Sequence, residues 1–169
     1  MPCRIDPVPF AKGLSAMSTP VIYQTDFPGL KDTDTVGEAM RRMLDDRVYD
    51  LPVVDAKGRL VGMFKLDRLY ASLLPKAALI GYGIPDLAFL SDTLGQLREK
   101  MREIEPHAVH EFVVKPTHVI HPDSSPLEIV LLLHQGANNI PVVDREDGRL
   151  VGMVSARDLL AALQAEDGQ

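Results

Sequence analysis

Ser155 and Asp158 place a hydroxyl and a carboxylate three residues apart at the head of an apolar helical run, just after a β-rich stretch ending near Gly152. An ionised aspartate only accepts hydrogen bonds, so it can take both hydroxyl protons of a sugar diol. A hydroxyl at a helix start, with the free N–H groups behind it, suits a phosphate. The same pair fits a capping box with Asp in place of the usual Glu, and a cap by itself accounts for both residues. The two roles are compatible.

The segment that carries this pair occurs twice. Residues 51–63 read LPVVDAKGRLVGM and residues 140–153 read IPVVDREDGRLVGM, at an offset of 89 that becomes 90 after one inserted residue. Where the second copy has Ser155 and Asp158, the first has Lys65 and Arg68. A cation cannot accept a hydroxyl proton, so the sugar contact is lost there; Lys65 and Arg68 are either phosphate contacts or solvated surface cations. A repeat of roughly 50 to 60 residues buries too little surface alone, so the two copies are expected to share a core.

The elements that position these residues follow the same order in each copy. A β-like stretch comes first, at residues 20–23 and 117–120. Thr35-Val36-Gly37-Glu38 and Ser125-Pro126-Leu127-Glu128 then have the form of a capping box, with Pro126 at the favoured first helical position. Helical spacing predicts buried faces of Val36, Ala39, Met40, Met43 and Leu44 in one copy, and of Leu127, Val130, Leu131 and His134 in the other. The near-identical segments read as hairpins, each followed by a helix, near residues 67–74 and 156–164. The order is β-α-β-β-α twice, with eight extra residues between Ile22 and Thr35 of the first copy expected to form a loop around Pro28-Gly29.

Between the copies Leu87, Leu90, Leu94, Leu97, Met101 and Ile104 form a helical seam, preceded by a breaker-rich turn at residues 81–85. The seam serves either a contact with another subunit or packing onto its own domain, and Gly95 weakens the helix. His107 with His110, and His118 with His121, each form an HxxH pair. Two imidazoles fall short of the three or four protein ligands of a zinc site, so these are read as surface or strand-end histidines and no metal is expected. No nucleophile, base and oxyanion group can be assembled from motifs, so no catalytic residue is named and the chain is not expected to be an enzyme.

Composition sets the setting. At 169 residues the chain fits one compact unit of two halves, and a formal charge of −6 opposes general attraction to nucleic acid or anionic lipid. The single cysteine, Cys3, makes no internal disulfide, and no run of about 18 apolar residues or secretory leader is evident. A cytoplasmic location without membrane contact is expected.

Two ordered copies of Pro-Val-Val-Asp, a short turn, Gly-Arg-Leu-Val-Gly and a polar junction to a helix resemble the cystathionine-β-synthase (CBS) domain, a regulatory module that occurs in pairs. The resemblance implies an α/β fold of two β-α-β-β-α repeats packed as a pseudo-symmetric pair with a helical connector. The boundaries are a 1–14 arm, domains at 15–74 and 112–166, a 75–111 connector and a 167–169 tail. It also implies a non-catalytic module that binds AMP, ADP, ATP or an S-adenosyl compound in the cleft of the pair, with no required cofactor. Such a module signals through conformation or assembly, as a homodimer acting on a regulated protein that the sequence does not identify. Gly152-Met153-Val154-Ser155-Ala156-Arg157-Asp158 matches the family's ligand motif in full. By the same resemblance the purine lies near Thr117, His118 and Val119 and near Asn139, Ile140 and Pro141, although strand packing equally explains Val119, Ile140 and Pro141. The degenerate first copy leaves open a ligand-free dimeric scaffold.

Overall fold

The computed structural model describes residues 22–75 and 93–165. The 1–14 arm, the 167–169 tail, Cys3, Leu87, Leu90 and the 81–85 turn lie outside the described residues. In chain order the elements are β1 (Leu30–Lys31), α1 (Val36–Asp46), β2 (Asp50–Val54), β3 (Leu60–Lys65) and α2 (Leu66–Leu73), then α3 (Leu94–Ile104) and a 3-10 turn (Val109–Glu111). The second repeat continues with α4 (Pro126–His134), β4 (Asn139–Val143), β5 (Leu150–Ser155) and α5 (Ala156–Gln164). The fold is the expected paired α/β architecture.

Each hairpin is built by the chemistry of its motif. In the first, Asp55 accepts the turn N–H groups of Lys57 at 2.8 Å and Arg59 at 3.0 Å, while Gly58 supplies a φ of +77°. In the second, Asp144 accepts from Glu146 at 2.7 Å, and Gly148 has a φ of +74°. An L side chain is strained in that left-handed region, which is why glycine closes both turns. The strands pair antiparallel with a register shift at the same place, between Val53 and Val54 and between Val142 and Val143. The hairpins then join each other, since the Leu60 N–H donates to the Gly148 carbonyl at 3.1 Å and the Leu150 N–H to that of Gly58 at 3.0 Å.

The first strand lies later than the sequence reading placed it. Leu30 of β1 runs parallel to Val53, as Ile120 does to Val142 in the second repeat. Leu30 stands five residues before its helix cap Thr35, and Ile120 five before Ser125, so no extra loop separates strand from helix in the first copy. What precedes β1 is an arm that crosses to the other repeat. Gln24 pairs antiparallel with Met153, and reciprocally Val114 pairs with Met63. Ile22 and Tyr23, β-like in hydropathy, form no strand; they lead into the Gln24 bridge to the other repeat, a partner that hydropathy does not specify.

Three apolar clusters record the exchange. Leu30, Val36, Leu51, Phe64 and Leu69 form the core of the first repeat, against which Phe112 and Val113 pack from the second arm. Ile120, Ile140, Val142, Val154 and Leu159 form that of the second, packed by Ile22 and Tyr23 from the first arm. Phe27, Val54, Met63, Val143, Leu150 and Met153 make a cluster shared between the repeats. Gly62 and Gly152 permit the crossings. A Cβ at Gly62 would lie 2.3 Å from Val113 Cγ1 and 2.6 Å from the Val114 carbonyl oxygen, and one at Gly152 would lie 2.3 Å from the Tyr23 ring.

The helices divide differently from expectation. In α1, Val36, Ala39 and Met43 are buried, but Leu44 is 76% exposed. On α4 the buried side is Ile129, with Leu132 and Leu133 packed on the core, whereas Leu127, Val130, Leu131 and His134 face outward. Residues 129–133 are all apolar, so spacing alone cannot select a face. In the connector, Met101 and Ile104 pack onto the first repeat's own core, and Leu94 remains 64% exposed. That end of the seam is intramolecular. The connector also closes the head of α1, where the Val36 N–H donates to the His107 carbonyl at 2.9 Å and the Gly37 N–H to that of Glu105 at 3.0 Å. These satisfy donors that a helix start leaves unpaired.

Candidate ligand site between the repeats

Ser155 ends β5 in extended conformation and caps α5. The Asp158 N–H donates to Ser155 Oγ at 3.3 Å, and Asp158 Oδ2 accepts both the Ser155 N–H and the Ser155 hydroxyl, each at 2.7 Å. The capping box is therefore formed. Asp158 Oδ1 accepts from the Gln24 side-chain amide, which comes from the crossing arm of the first repeat. Around this centre is a cavity of about 360 Å³, lined by Gln24, Phe27, Pro28, Asp46, Arg47, Val48, Asp50 and Pro52 of the first repeat and by Asn139, Met153, Ser155, Arg157 and Asp158 of the second. Its wall combines an apolar slot with the start of α5, where the N–H groups and helix dipole favour an anion.

A second, smaller cavity of about 210 Å³ is its pseudo-symmetric counterpart. Lys65 stands at the end of β3 where Ser155 ends β5, and it makes no side-chain cap to α2. Facing it are Thr117, His118, Gln135, Gly136 and Asn139. Ligand pockets usually measure about 300–1,000 Å³, so the larger cavity has the volume for a nucleotide and the smaller falls short. Asp50 and Asn139, in equivalent positions opposite Lys65 and Ser155, line both cavities. Burial pushes the Asp50 carboxyl above its ordinary value; Lys65 opposes this, Asp67 adds to it, and a hydrogen bond with Asn139 again favours the charged form.

The residues singled out from sequence are thus distributed. Ser155, Asp158 and Asn139 meet in the larger cavity, while Thr117 and His118 line the smaller one with Asn139. Val119 packs on the shared cluster, and Ile140 and Pro141 are buried in β4. Arg68 is exposed on α2. The first-repeat wall of the larger cavity was not read from the sequence. Adding the repeat offset of 90 maps Phe27 and Pro28 onto Thr117 and His118, so the signal existed; the crossing that delivers them to Ser155 did not announce itself.

The histidines act separately. His107 pairs with Glu111 at 3.1 Å, His110 lies 3.3 Å from the Asp32 carbonyl, and His121 is 2.7 Å from the Val143 carbonyl. The His107 contact holds the Glu111 carboxyl below its usual value. Among the described residues no group of three or more His, Cys, Asp or Glu side chains is placed to hold a metal, and no helix is long and apolar enough to cross a membrane.

Against known proteins, the family model described as the CBS domain matches residues 14–74 and 109–165. A CBS domain-containing protein of unknown function from Kribbella flavida superposes with a TM-score of 0.62 at 20% identity, covering 85% of this chain and 96% of that one. A CBS domain pair/ACT domain protein from Thermotoga maritima gives 0.56 at 23% identity, with 85% and 94% covered. CBSX2, solved in complex with AMP, gives 0.58 at 23% identity, with 84% and 91% covered. No curated protein sequence matches this chain.

Proposed function

This chain belongs to the CBS-domain family as a tandem pair, and from that premise we propose that it is a regulatory module binding one adenosine nucleotide or adenosyl ligand in the larger cavity. The observation that carries this reading is the joint arrival of Ser155 and Asp158 and the apolar Phe27, Pro28 and Val48 wall in one cavity of nucleotide size. Asp158 accepts from the ribose, the start of α5 receives phosphate or another anionic group, and the slot takes the purine. The AMP bound to CBSX2 makes AMP the first compound to test, beside ADP, ATP and S-adenosyl methionine. Because a ligand shifts an equilibrium only through unequal affinity for two states, the signal is a change in how the two repeats, or two chains, pack.

Calorimetry with those four compounds tests the site. Saturation at about 100 times Kd adds roughly 2.7 kcal/mol of stability, or on the order of 5 to 10 °C in Tm. Asp158→Asn should weaken binding by about 10- to 100-fold while keeping the fold, and Arg68→Ala should leave it unchanged. Failure of all four compounds to bind would favour the ligand-free scaffold, the reading that Lys65 and Arg68 support in the first repeat.

The assembly is a cytoplasmic homodimer in this reading, with the repeats assigned to 15–74 and 112–166. Its contact is the outer face of α4 and α5, where Leu127 is 75% exposed, Leu131 51% and Leu163 71%. Such contiguous apolar exposure marks an interaction surface. Light scattering should give twice the chain mass for the native protein and one chain for a still-folded Leu131→Asp, Leu163→Asp double variant.

A further inference from the structure

Gln24 is held by its backbone independently of its side chain. Its N–H donates to the Met153 carbonyl at 2.9 Å and its carbonyl accepts from the Met153 N–H at 3.0 Å, with the neighbouring Tyr23 ring lying over Gly152. The side chain reaches Asp158 Oδ1, and an acceptor-only carboxylate requires that the amide turn its NH2 toward it. Oδ2 is already engaged by the Ser155 N–H and hydroxyl. Each carboxylate oxygen accepts up to two hydrogen bonds, so Oδ1 is the oxygen with room for incoming hydroxyls, and Gln24 takes one of its two positions.

The other repeat has no such contact to make. The arm residue equivalent to Gln24 is Val114, paired with Met63, and the residue equivalent to Asp158 is Arg68. Valine carries no side-chain donor and arginine no acceptor. Between these equivalent positions, a side-chain donor of the arm meets a carboxylate of the other repeat at Gln24 and Asp158 and not at Val114 and Arg68.

We propose that Gln24 is a built-in competitor for the Asp158 carboxylate, displaced when a sugar hydroxyl binds. This rests on the reading of the larger cavity as a ligand site. Displacement lowers the apparent affinity and frees the side chain of an arm whose Phe27 and Pro28, three and four residues on, line the same cavity. Cavity occupancy is thereby reported to the arm that crosses from the first repeat to the second.

Calorimetry with AMP, S-adenosyl methionine and 2′,3′-dideoxy-AMP on the wild type, Gln24→Ala and Gln24→Met tests this. Gln24 is exposed, so its bond to a charged acceptor is discounted for solvent, and both variants should bind the two ribose-bearing compounds about 3- to 10-fold tighter. The dideoxy analogue, which has no hydroxyl to compete, should show no gain. Equal or weaker binding of AMP and S-adenosyl methionine by both variants, with the wild type binding, overturns the competitor and leaves the ligand site standing. No binding by any of the three proteins overturns both. In the ligand-free protein, the Gln24 side-chain amide protons should shift in NMR spectra on Asp158→Ala; their indifference also overturns the proposal.

Discussion

The two repeats carry the same hairpin, the same bulge and the same arm exchange, yet differ at the head of the helix that follows the hairpin. Ser155 and Asp158 close a complete capping box on α5, whereas Lys65 begins α2 with no side-chain cap. They differ again on the outside. The connector covers the start of α1, where Gly37 lies beside Glu105, while the equivalent Leu127 on α4 is 75% exposed. The chain has retained in duplicate what builds the pair and specialised what faces the cavities and the solvent. Shared core residues must satisfy both repeats at once, because each arm completes the other's packing; a residue that only lines a cavity is free of that constraint.

The largest effects should come from breaking what the repeats share. Gly62→Ala and Gly152→Ala each force a Cβ into the opposite arm, where it meets backbone as well as side chain: the Val114 carbonyl at Gly62 and the Gln24 carbonyl at Gly152. Each should cost about 2 to 4 kcal/mol in urea unfolding, and the similarity of the two losses is the expectation, since the crossing is reciprocal. A large loss at one glycine alone would show that one arm carries the pairing.

Next come changes that exchange the helix heads. Ser155→Ala should lose about 1 kcal/mol through the cap of α5. Conversely, Lys65→Ser with Arg68→Asp should install the same box on α2 and gain about 0.5 to 1 kcal/mol, visible as a higher urea midpoint at unchanged m-value. No gain would mean that Lys65 stabilises the first repeat through its attraction to Asp50.

The smallest effect belongs to Asp50, whose counterpart is Asn139. Its carboxyl is raised by burial, so the native state binds its proton more tightly than the unfolded chain does. Below the unfolded value of 3.8 both states are protonated and there is no penalty; stability is lost as pH rises through the window above it. Asp50→Asn should therefore stabilise the protein at neutral pH by up to about 1 kcal/mol, discounted for partial exposure, with the gain vanishing as pH falls below that window. Melting curves for both proteins across pH 3 to 7 measure it.

Much of this was legible in the residues themselves. The duplicated Pro-Val-Val-Asp and Gly-Arg-Leu-Val-Gly segments specify hairpins through local forces, namely β-branched strands, an aspartate that takes turn N–H groups and a glycine at positive φ. The caps at Thr35, Ser125 and Ser155 depend on partners three residues away; the reciprocal box forms at Thr35 and Ser155, whereas at Ser125 the hydroxyl accepts from the Glu128 N–H without the return contact expected of Glu128. The same locality shows why Ser155 and Asp158 could be singled out before any fold was known.

Tertiary structure decided what those local forces leave free. Periodicity cannot choose a face on α4, where every residue from 129 to 133 is apolar, and packing buried Ile129 while turning Leu131 outward. Nor does hydropathy say that the arm through Ile22, Tyr23 and Gln24 joins the other repeat, because extended side chains alternate in the same way whichever sheet accepts their hydrogen bonds. That crossing brings Gln24, Phe27 and Pro28 to Ser155 and Asp158, and sends Thr117 and His118 to Lys65. The repeat, its hairpins and its caps follow from local sequence; the exchange of arms, a long-range hydrogen-bonding choice set by close approach over Gly62 and Gly152, selects which residues share a cavity.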